Sequence, residues 1–382
     1  MLTGGDYTDN ASRRVTPRIW AVASYRAGEN SQISGLANRL GGDVATKRLR
    51  YNASAGPLGL MRLVTRRGVD SAGSDALEPP WPDLIVSAGL KNEPVCRWIK
   101  QCSGGRTRLV FLGRTWASRG EFDLVVTTPQ YRLPREPNVV HNLMTQHGVV
   151  EPRLAAERTR WEARFAALPR PILGVLIGGD SGPFVLGARA AKRLADKLNA
   201  MVASRGGSTI ITTSARTRRE VADVLESALT VPASLHRYRP NDPDNPYFGI
   251  LALADAFVVT SDSVAMLSEA AAAERPVHIF NLGDAGPDGR DHSVKSVSYR
   301  TMMALLPKRL SRDIGLFHEA FVAAGHGTWS NDACSVVPGA AAAEIEATVA
   351  RVRSLAVART SLIVDRALGI EGGTGAIVAE RE

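Results

Sequence analysis

The sequence predicts an α/β protein built from two doubly wound parallel-sheet domains, with a helical C-terminal segment. Three observations lead there. Short β-rich runs alternate with longer amphipathic stretches along most of the 382 residues, the pattern of parallel strands joined by crossover helices. Several runs are apolar throughout, as strands covered on both faces are. The alternation breaks once near the middle and resumes, and the chain is longer than the ~250–300 residues at which single cores stop growing.

Taken in order, the polar residues 1–16 are expected to be disordered. A first domain, residues 17–168, contains strands predicted at Arg18–Ser24, Val44–Leu49, Asp83–Ala88, Leu109–Leu112, Leu124–Thr127 and Val139–Asn142. Helices are predicted between them at Ser31–Leu40 and Glu93–Gln101. Glu151–Leu168 reads as one long charged helix that Pro169-Arg170-Pro171 stops. The second domain, residues 169–300, opens with strand Ile172–Ile177, a glycine-rich turn and helix Val185–Ser204. Strand Thr209–Thr213, helix Arg218–Leu229, strand Leu235–Tyr238 and helix Pro246–Ala254 follow. Strand Ala256–Thr260, helix Val264–Glu274 and strand Val277–Phe280 close it, and residues 301–382 read as helical and Ala-rich.

Composition narrows the function classes. Hydrophobic residues make up 44% and charged residues 22%, ordinary for a chain with a full core. No apolar run approaches the ~20 residues of a membrane span, and Met1–Thr16 lacks the apolar stretch of a signal peptide. A cytoplasmic protein, peripheral on the inner face of the membrane, is expected. The three cysteines, Cys96, Cys102 and Cys334, fit no zinc spacing and read as buried free thiols. Of the net charge of +9, residues 1–150 carry +8, from 20 Lys/Arg against 12 Asp/Glu. Such a basic half could dock on an anionic membrane surface or be an evenly solvated Arg-rich surface. Nucleic acid is excluded as a partner, because few aromatics interleave with the basic residues.

Chemistry is expected at the carboxyl ends of the parallel strands, where ligands collect in open α/β sheets. Thr260-Ser261-Asp262-Ser263 joins a strand to a helix, whose N-terminal amides attract phosphate. Ser261 and Ser263 add hydroxyls, Asp262 competes for the same amides, and Glu269 lies about 9 Å further along at ~1.5 Å per residue. That spacing suits a diphosphate at the helix start and ribose hydroxyls on Glu269. The same residues equally read as a helix cap and an exposed helix charge. Gly178-Gly179-Asp180-Ser181-Gly182 allows close backbone approach but also reads as a plain turn. Ser214 and Arg216 form a third polar turn, with Arg216 able to pair with phosphate. His236 and the Asn245-Pro246-Tyr247 segment are further candidates for lining the cleft. After the first strand, Gly28 and Glu29 open a helix; Glu29 is a candidate general base, though acidic residues are favoured in first turns anyway.

Together, Ile19-Trp20-Ala21-Val22, Arg26-Ala27-Gly28-Glu29-Asn30 with Gln32, Gly178-Gly179-Asp180, Thr212-Thr213-Ser214 with Arg216, Asn245-Pro246-Tyr247 and Thr260 through Ala270 resemble the bacterial branch of the plant mitochondrial-fission protein family. The resemblance runs from about Arg18 to Leu282. Those members are described as glycosyltransferases and, in older usage, as nucleoside-diphosphate-sugar epimerases. The resemblance implies a GT-B-like pair of Rossmann-like domains facing a cleft, the first binding an acceptor and the second a nucleotide sugar. It implies phosphate contacts from Ser261 and Ser263 and a ribose contact from Glu269, with Met266 beside them. Related lipid-linked sugar transferases carry a His-bearing glycine-rich loop where this chain has Gly28-Glu29, which leaves the base open. The expectation is a glycosyltransferase with no cofactor and no metal, acting on a nucleotide sugar and an acceptor that the sequence does not name, a membrane-linked one among the candidates. The alternatives are an epimerase, for which no acid–base pair is evident, and a non-catalytic membrane-associated scaffold.

Overall fold

The computed structural model describes residues 16–283, 293–305, 312–329 and 339–367. The first domain comprises β1 (Arg18–Val22), α1 (Ala27–Ala37), β2 (Asp43–Lys47), α2 (Ala55–Leu60), β3 (Leu84–Ala88), α3 (Asn92–Cys102), β4 (Arg108–Leu112), β5 (Leu124–Thr127) and β6 (Val139–His141). Its six strands are all parallel, in the order β2-β1-β3-β4-β5-β6. The chain continues through α4 (Glu151–Phe165), β7 (Ile172–Leu176), α5 (Ala188–Arg205), β8 (Ser208–Thr212), α6 (Arg219–Ala228) and β9 (Ala233–His236). Then come α7 (Tyr247–Leu253), β10 (Ala256–Thr260), α8 (Val264–Ala272), β11 (Val277–Phe280), α9 (Val294–Leu305), α10 (Ile314–Ala323) and α11 (Ala340–Ala367). The second sheet is parallel throughout, in the order β11-β10-β7-β8-β9.

Both sheets reverse strand order once, the first between β1 and β3 and the second between β7 and β10. Loops leaving adjacent strands at such a point diverge to opposite faces and open a crevice. The architecture is therefore two Rossmann-like domains with a helical C-terminal segment, as the alternation predicts. The apolar strand runs have their expected cause, since every residue of β3, β5, β7 and β11 is buried.

Several boundaries differ from expectation for local reasons. Helix α1 begins at Ala27 rather than Ser31, so Glu29 lies in its first turn; the Asn30 side chain accepts the Ser24 N–H at 2.6 Å and ties the helix to the end of β1. Helix α5 starts three residues late because the Asp180 carboxylate accepts the Leu186 N–H at 2.9 Å and Ser181 pairs with Phe184. Strand β9 ends at His236, and the Tyr238 N–H turns to the Thr213 hydroxyl at 2.8 Å. The cysteine reading needs correction: Cys96 is buried, but Cys102, in the last turn of α3, is exposed. Cys334, and all of the expected disordered N-terminus but Thr16, lie outside the described residues.

The two domains share apolar surface. One core runs from β1 and α1 through α4 and α7 to α8, α10 and α11. Helix α4, placed with the first domain by its sequence position, packs on α7 through Trp161, which is 2% exposed, and Arg158 donates to the Ala252 carbonyl at 3.4 Å. Helix α11 returns to the first domain: Ile345, Val349 and Val352 are fully buried, and Glu344 accepts the Met144 N–H at 2.8 Å. The Asn142 amide donates to Thr348 at 2.9 Å. Among the described residues, no helix is long and apolar enough to cross a membrane.

Candidate functional site

The crevice of the second sheet is built from the ends of β7, β8 and β10. The Gly178 N–H donates to the Thr260 hydroxyl at 2.8 Å and the Gly179 N–H to Asp262 Oδ2 at 2.9 Å, joining the β7 and β10 turns. A side chain at Gly178 would overlap the Asp262 carboxylate, which is why only glycine fits. The Ser214 hydroxyl donates to the Gly178 carbonyl at 2.8 Å. Arg216 spans the gap, 2.8 Å from Asp262 Oδ2 and 3.2 Å from the Asp180 carbonyl. Burial pushes the Asp262 carboxyl up, against the pull of Arg216 and the Gly179 N–H. Asp180 pairs with Arg218 at 2.5 Å and with Lys295 of α9 at 2.9 Å, and Arg312 donates to the Ser181 hydroxyl at 2.6 Å. Four cations thus meet three carboxylates, since Glu220 also lies 3.5 Å from Arg218, an excess of one positive charge.

The start of α8 stands behind this crevice. Ser261, Asp262 and Ser263 are all buried, Ser263 occupies the N-cap with no side-chain cap, and the Ser261 hydroxyl accepts the Leu282 N–H at 3.1 Å. Glu269 is only 4% exposed, and both its oxygens are taken, one by Ser31 of α1 and one by the Tyr247 hydroxyl. Burial pushes its carboxyl up, while these two donors and Arg153 pull it down. Glu269 thus serves here as a hydrogen-bond acceptor that joins α1 to α7 and α8. Gly28, beside Ser31, sits against Ala265 at the start of α8, and half-buried Met266 packs into the shared core. The Asn245 side chain accepts the Tyr247 N–H at 3.1 Å and so starts α7. His236 lies on the edge strand, two strands or roughly 10 Å from β7, with its Nε2 3.4 Å from Asp242 and burial lowering its pKa.

The first sheet carries its own cleft, of about 120 Å³, at its β1/β3 switch point. Glu29 lines it together with Arg26, Arg114, Trp116 and Tyr131. Ser24 donates to Glu29, and Arg26 lies 3.3 Å from its other oxygen. Gly89, at φ +90°, lets the end of β3 pass Glu29; a Cβ there would come within 2.6 Å of the carboxylate. The loop after β4 is held by buried Glu93, which accepts the N–H groups of Trp116 at 2.8 Å and Ala117 at 2.6 Å. That grip sets Arg114 over the Trp116 ring, 4.4 Å from its centroid. The pattern of motifs did not point to Arg114, Trp116, Tyr131 or Glu93. The usable signal was Gly113-Arg114 directly after the apolar run of β4, the same strand-end logic as in the second domain. Among the described residues, no three His, Cys, Asp or Glu side chains cluster as metal ligands.

The family model described as mitochondrial fission ELM1 matches residues 27–321, more than half the chain. The chain belongs to the mitochondrial fission ELM1 family. Within it, the mitochondrial fission protein ELM1 of Arabidopsis thaliana is 28% identical over 265 residues, 62% of each chain, so this chain spans less than two thirds of that relative. An uncharacterized protein of Rickettsia prowazekii is 24% identical over 296 residues, covering 69% of this chain and 82% of that one. Solved structures similar in chain trace include ADP-heptose LPS heptosyltransferase II of E. coli, 13% identical, covering 80% of this chain and 99% of that one at TM-score 0.40. Spinosyn forosaminyltransferase SpnP is 12% identical, with 93% and 96% covered at TM-score 0.44. The UDP-GlcNAc 2-epimerase of Neisseria meningitidis is 9% identical, with 92% and 98% covered at TM-score 0.41.

Proposed function

We propose that this ELM1-family chain is a glycosyltransferase that moves a sugar from a nucleotide sugar to an acceptor hydroxyl. The observation that carries the reading is the meeting of two strand-end crevices: Arg312 bonds to Ser181 in the second and lies within Coulomb reach of Arg114 in the first. In this reading Arg216, Lys295 and Arg312 hold the diphosphate near the start of α8. Glu29 takes the proton of the acceptor hydroxyl as its oxygen bonds to the anomeric carbon. The bond from that carbon to the diphosphate breaks, and the guanidinium and ammonium groups meet the charge gathering on the leaving group. Glu269 would clasp the ribose once the Ser31 contact opens. The basic first half supports an acceptor presented at an anionic membrane surface.

Thermal-shift screening of nucleoside diphosphates and their sugars tests the binding half. A ligand at 100 times its Kd adds about 2.7 kcal/mol, a shift of roughly 3 °C for a chain of this length, which Arg216→Gln should reduce. No response to any nucleotide would refute the reading. With an active pair in hand, Glu29→Gln should lower kcat by about 10²–10⁴ while nucleotide binding persists. The proposal assigns the diphosphate to side chains, so turnover lost to a chelator and restored by manganese would overturn that part.

A further inference from the structure

We propose that the first-domain cleft binds a phosphate group carried by the acceptor. The word acceptor rests on the glycosyltransferase reading; the charge of the ligand does not.

The cleft lies at a switch point, where the fold collects ligands, and its charge is one-sided. Arg26 and Arg114 line it, and Glu29 is the sole carboxylate among its lining residues. The C-terminal segment comes close at Arg312, whose neighbour Asp313 donates its N–H to the Gln130 carbonyl at 2.9 Å beside Tyr131, and Lys91 stands over the Tyr25 ring, 4.9 Å from its centroid. Burial, with Arg312 and Arg26 as like-charged neighbours, presses Arg114 below the usual guanidinium range while Tyr131 and Tyr299 oppose the shift. An arginine does not shed its proton in a protein, so Arg114 stays a cation on the cleft wall. The Trp116 ring and the Glu93-held loop fix the plane of Arg114 before any ligand arrives. Two guanidiniums arriving from separate elements, Arg26 ahead of α1 and Arg114 after β4, suit a group with several oxygens. A carboxylate needs only one planar fork.

Volume points the same way. About 120 Å³ falls below the ~300–1,000 Å³ of sites that enclose a whole small ligand. The cleft therefore encloses a headgroup, with the rest of the acceptor outside. Glu29 shares the cleft, so a phosphate on the arginines leaves a neighbouring hydroxyl beside the base.

A phosphate of this kind belongs to a lipid phosphate or to a soluble sugar phosphate. Calorimetry on the full chain, with a nucleoside diphosphate filling the second crevice, separates the two. One arm titrates a short isoprenyl phosphate against its parent alcohol in detergent, and the other a hexose phosphate against the free hexose. The expected result is that at least one phosphate binds and its neutral parent does not, with Arg114→Gln weakening binding at least about tenfold. Arg26→Gln, at a side chain 61% exposed, should weaken it in the same direction without threatening the fold. Both variants should leave nucleoside diphosphate binding within about twofold. The arm that responds names the source. Binding equal to the neutral parents, or unchanged in both variants, overturns the inference. If phosphate binds through Arg114 while no nucleotide binds in a parallel titration, the transferase reading fails and the phosphate site stands.

Discussion

Replacing His147 with asparagine tests how a buried ring at the domain junction governs acid stability. His147 is 2% exposed, its Nδ1 accepts the Val149 N–H at 3.3 Å, and its Nε2 has no partner among the described residues. Burial first, then the cation of Arg39, holds its pKa at about 4 against the usual 6.5. The folded state therefore binds fewer protons than the unfolded chain between pH 6.5 and 4, and stability falls as pH drops through that window. At 1.36 kcal/mol per pKa unit the loss comes to about 3 kcal/mol. Asparagine can accept the N–H two residues on, as in an Asx turn, but does not titrate. The lost ring volume and the buried amide N–H groups should lower the stability of His147→Asn by about 1–3 kcal/mol at every pH, an offset that leaves the slope of the curve untouched. Between pH 7 and 4 the variant should lose about 3 kcal/mol less, a difference of roughly 4 °C in Tm for a chain of this length. The measurement is Tm against pH for both proteins. Buried acids pushed upward, Glu269 and Glu344 among them, slope the other way but are common to both curves and cancel in the difference. Parallel curves across this window would refute the argument.

Two further perturbations probe the junction and the cleft. Glu269→Ala leaves the Ser31 and Tyr247 hydroxyls without their acceptor, at about 1–3 kcal/mol each; calorimetry should show a Tm drop of several degrees, and an unchanged Tm would mean the two contacts contribute nothing. Gly89→Ala adds a Cβ 2.6 Å from the Glu29 carboxylate at φ +90°, so about 1–3 kcal/mol of strain is expected, with loss of binding in the first cleft but not of nucleotide binding in the second.

Much of the fold was legible because it is encoded locally. A strand buried on both faces is mostly apolar, so Leu124–Val126 and Leu84–Val86 announce themselves without knowledge of their neighbours. Partnerships over long separations leave no such mark. Nothing in the period of α4 tells whether Trp161 faces the first sheet or α7, because an apolar stripe specifies a face and not an occupant. Likewise the Ala-rich pattern of α11 is compatible with a solvent-exposed helix. Only the structure brings Glu344 to the Leu143 and Met144 amides. The exposed Cys102 is the same failure in miniature, since an 11-residue helix has room for a thiol on either side.

The candidate site divides along that line. The polar turns after β7, β8 and β10 were legible because strand ends collect glycine and hydroxyl residues for geometric reasons, and the structure gathers those turns around Asp262. Glu269 is harder, because its partner Ser31 is 238 residues away. A carboxylate two turns into a helix looks the same in sequence whether it awaits a ribose or bonds to a neighbouring domain. The structure adds a condition that links the two roles. With both oxygens occupied and a raised pKa, Glu269 gains nothing from a pentose unless hydroxyls of the ligand replace those of Ser31 and Tyr247. If a ligand does bind there, displacing Ser31 would loosen one of the contacts between α1 and α8, beside the shared core and the Thr145–Ser268 bond that also join the two halves.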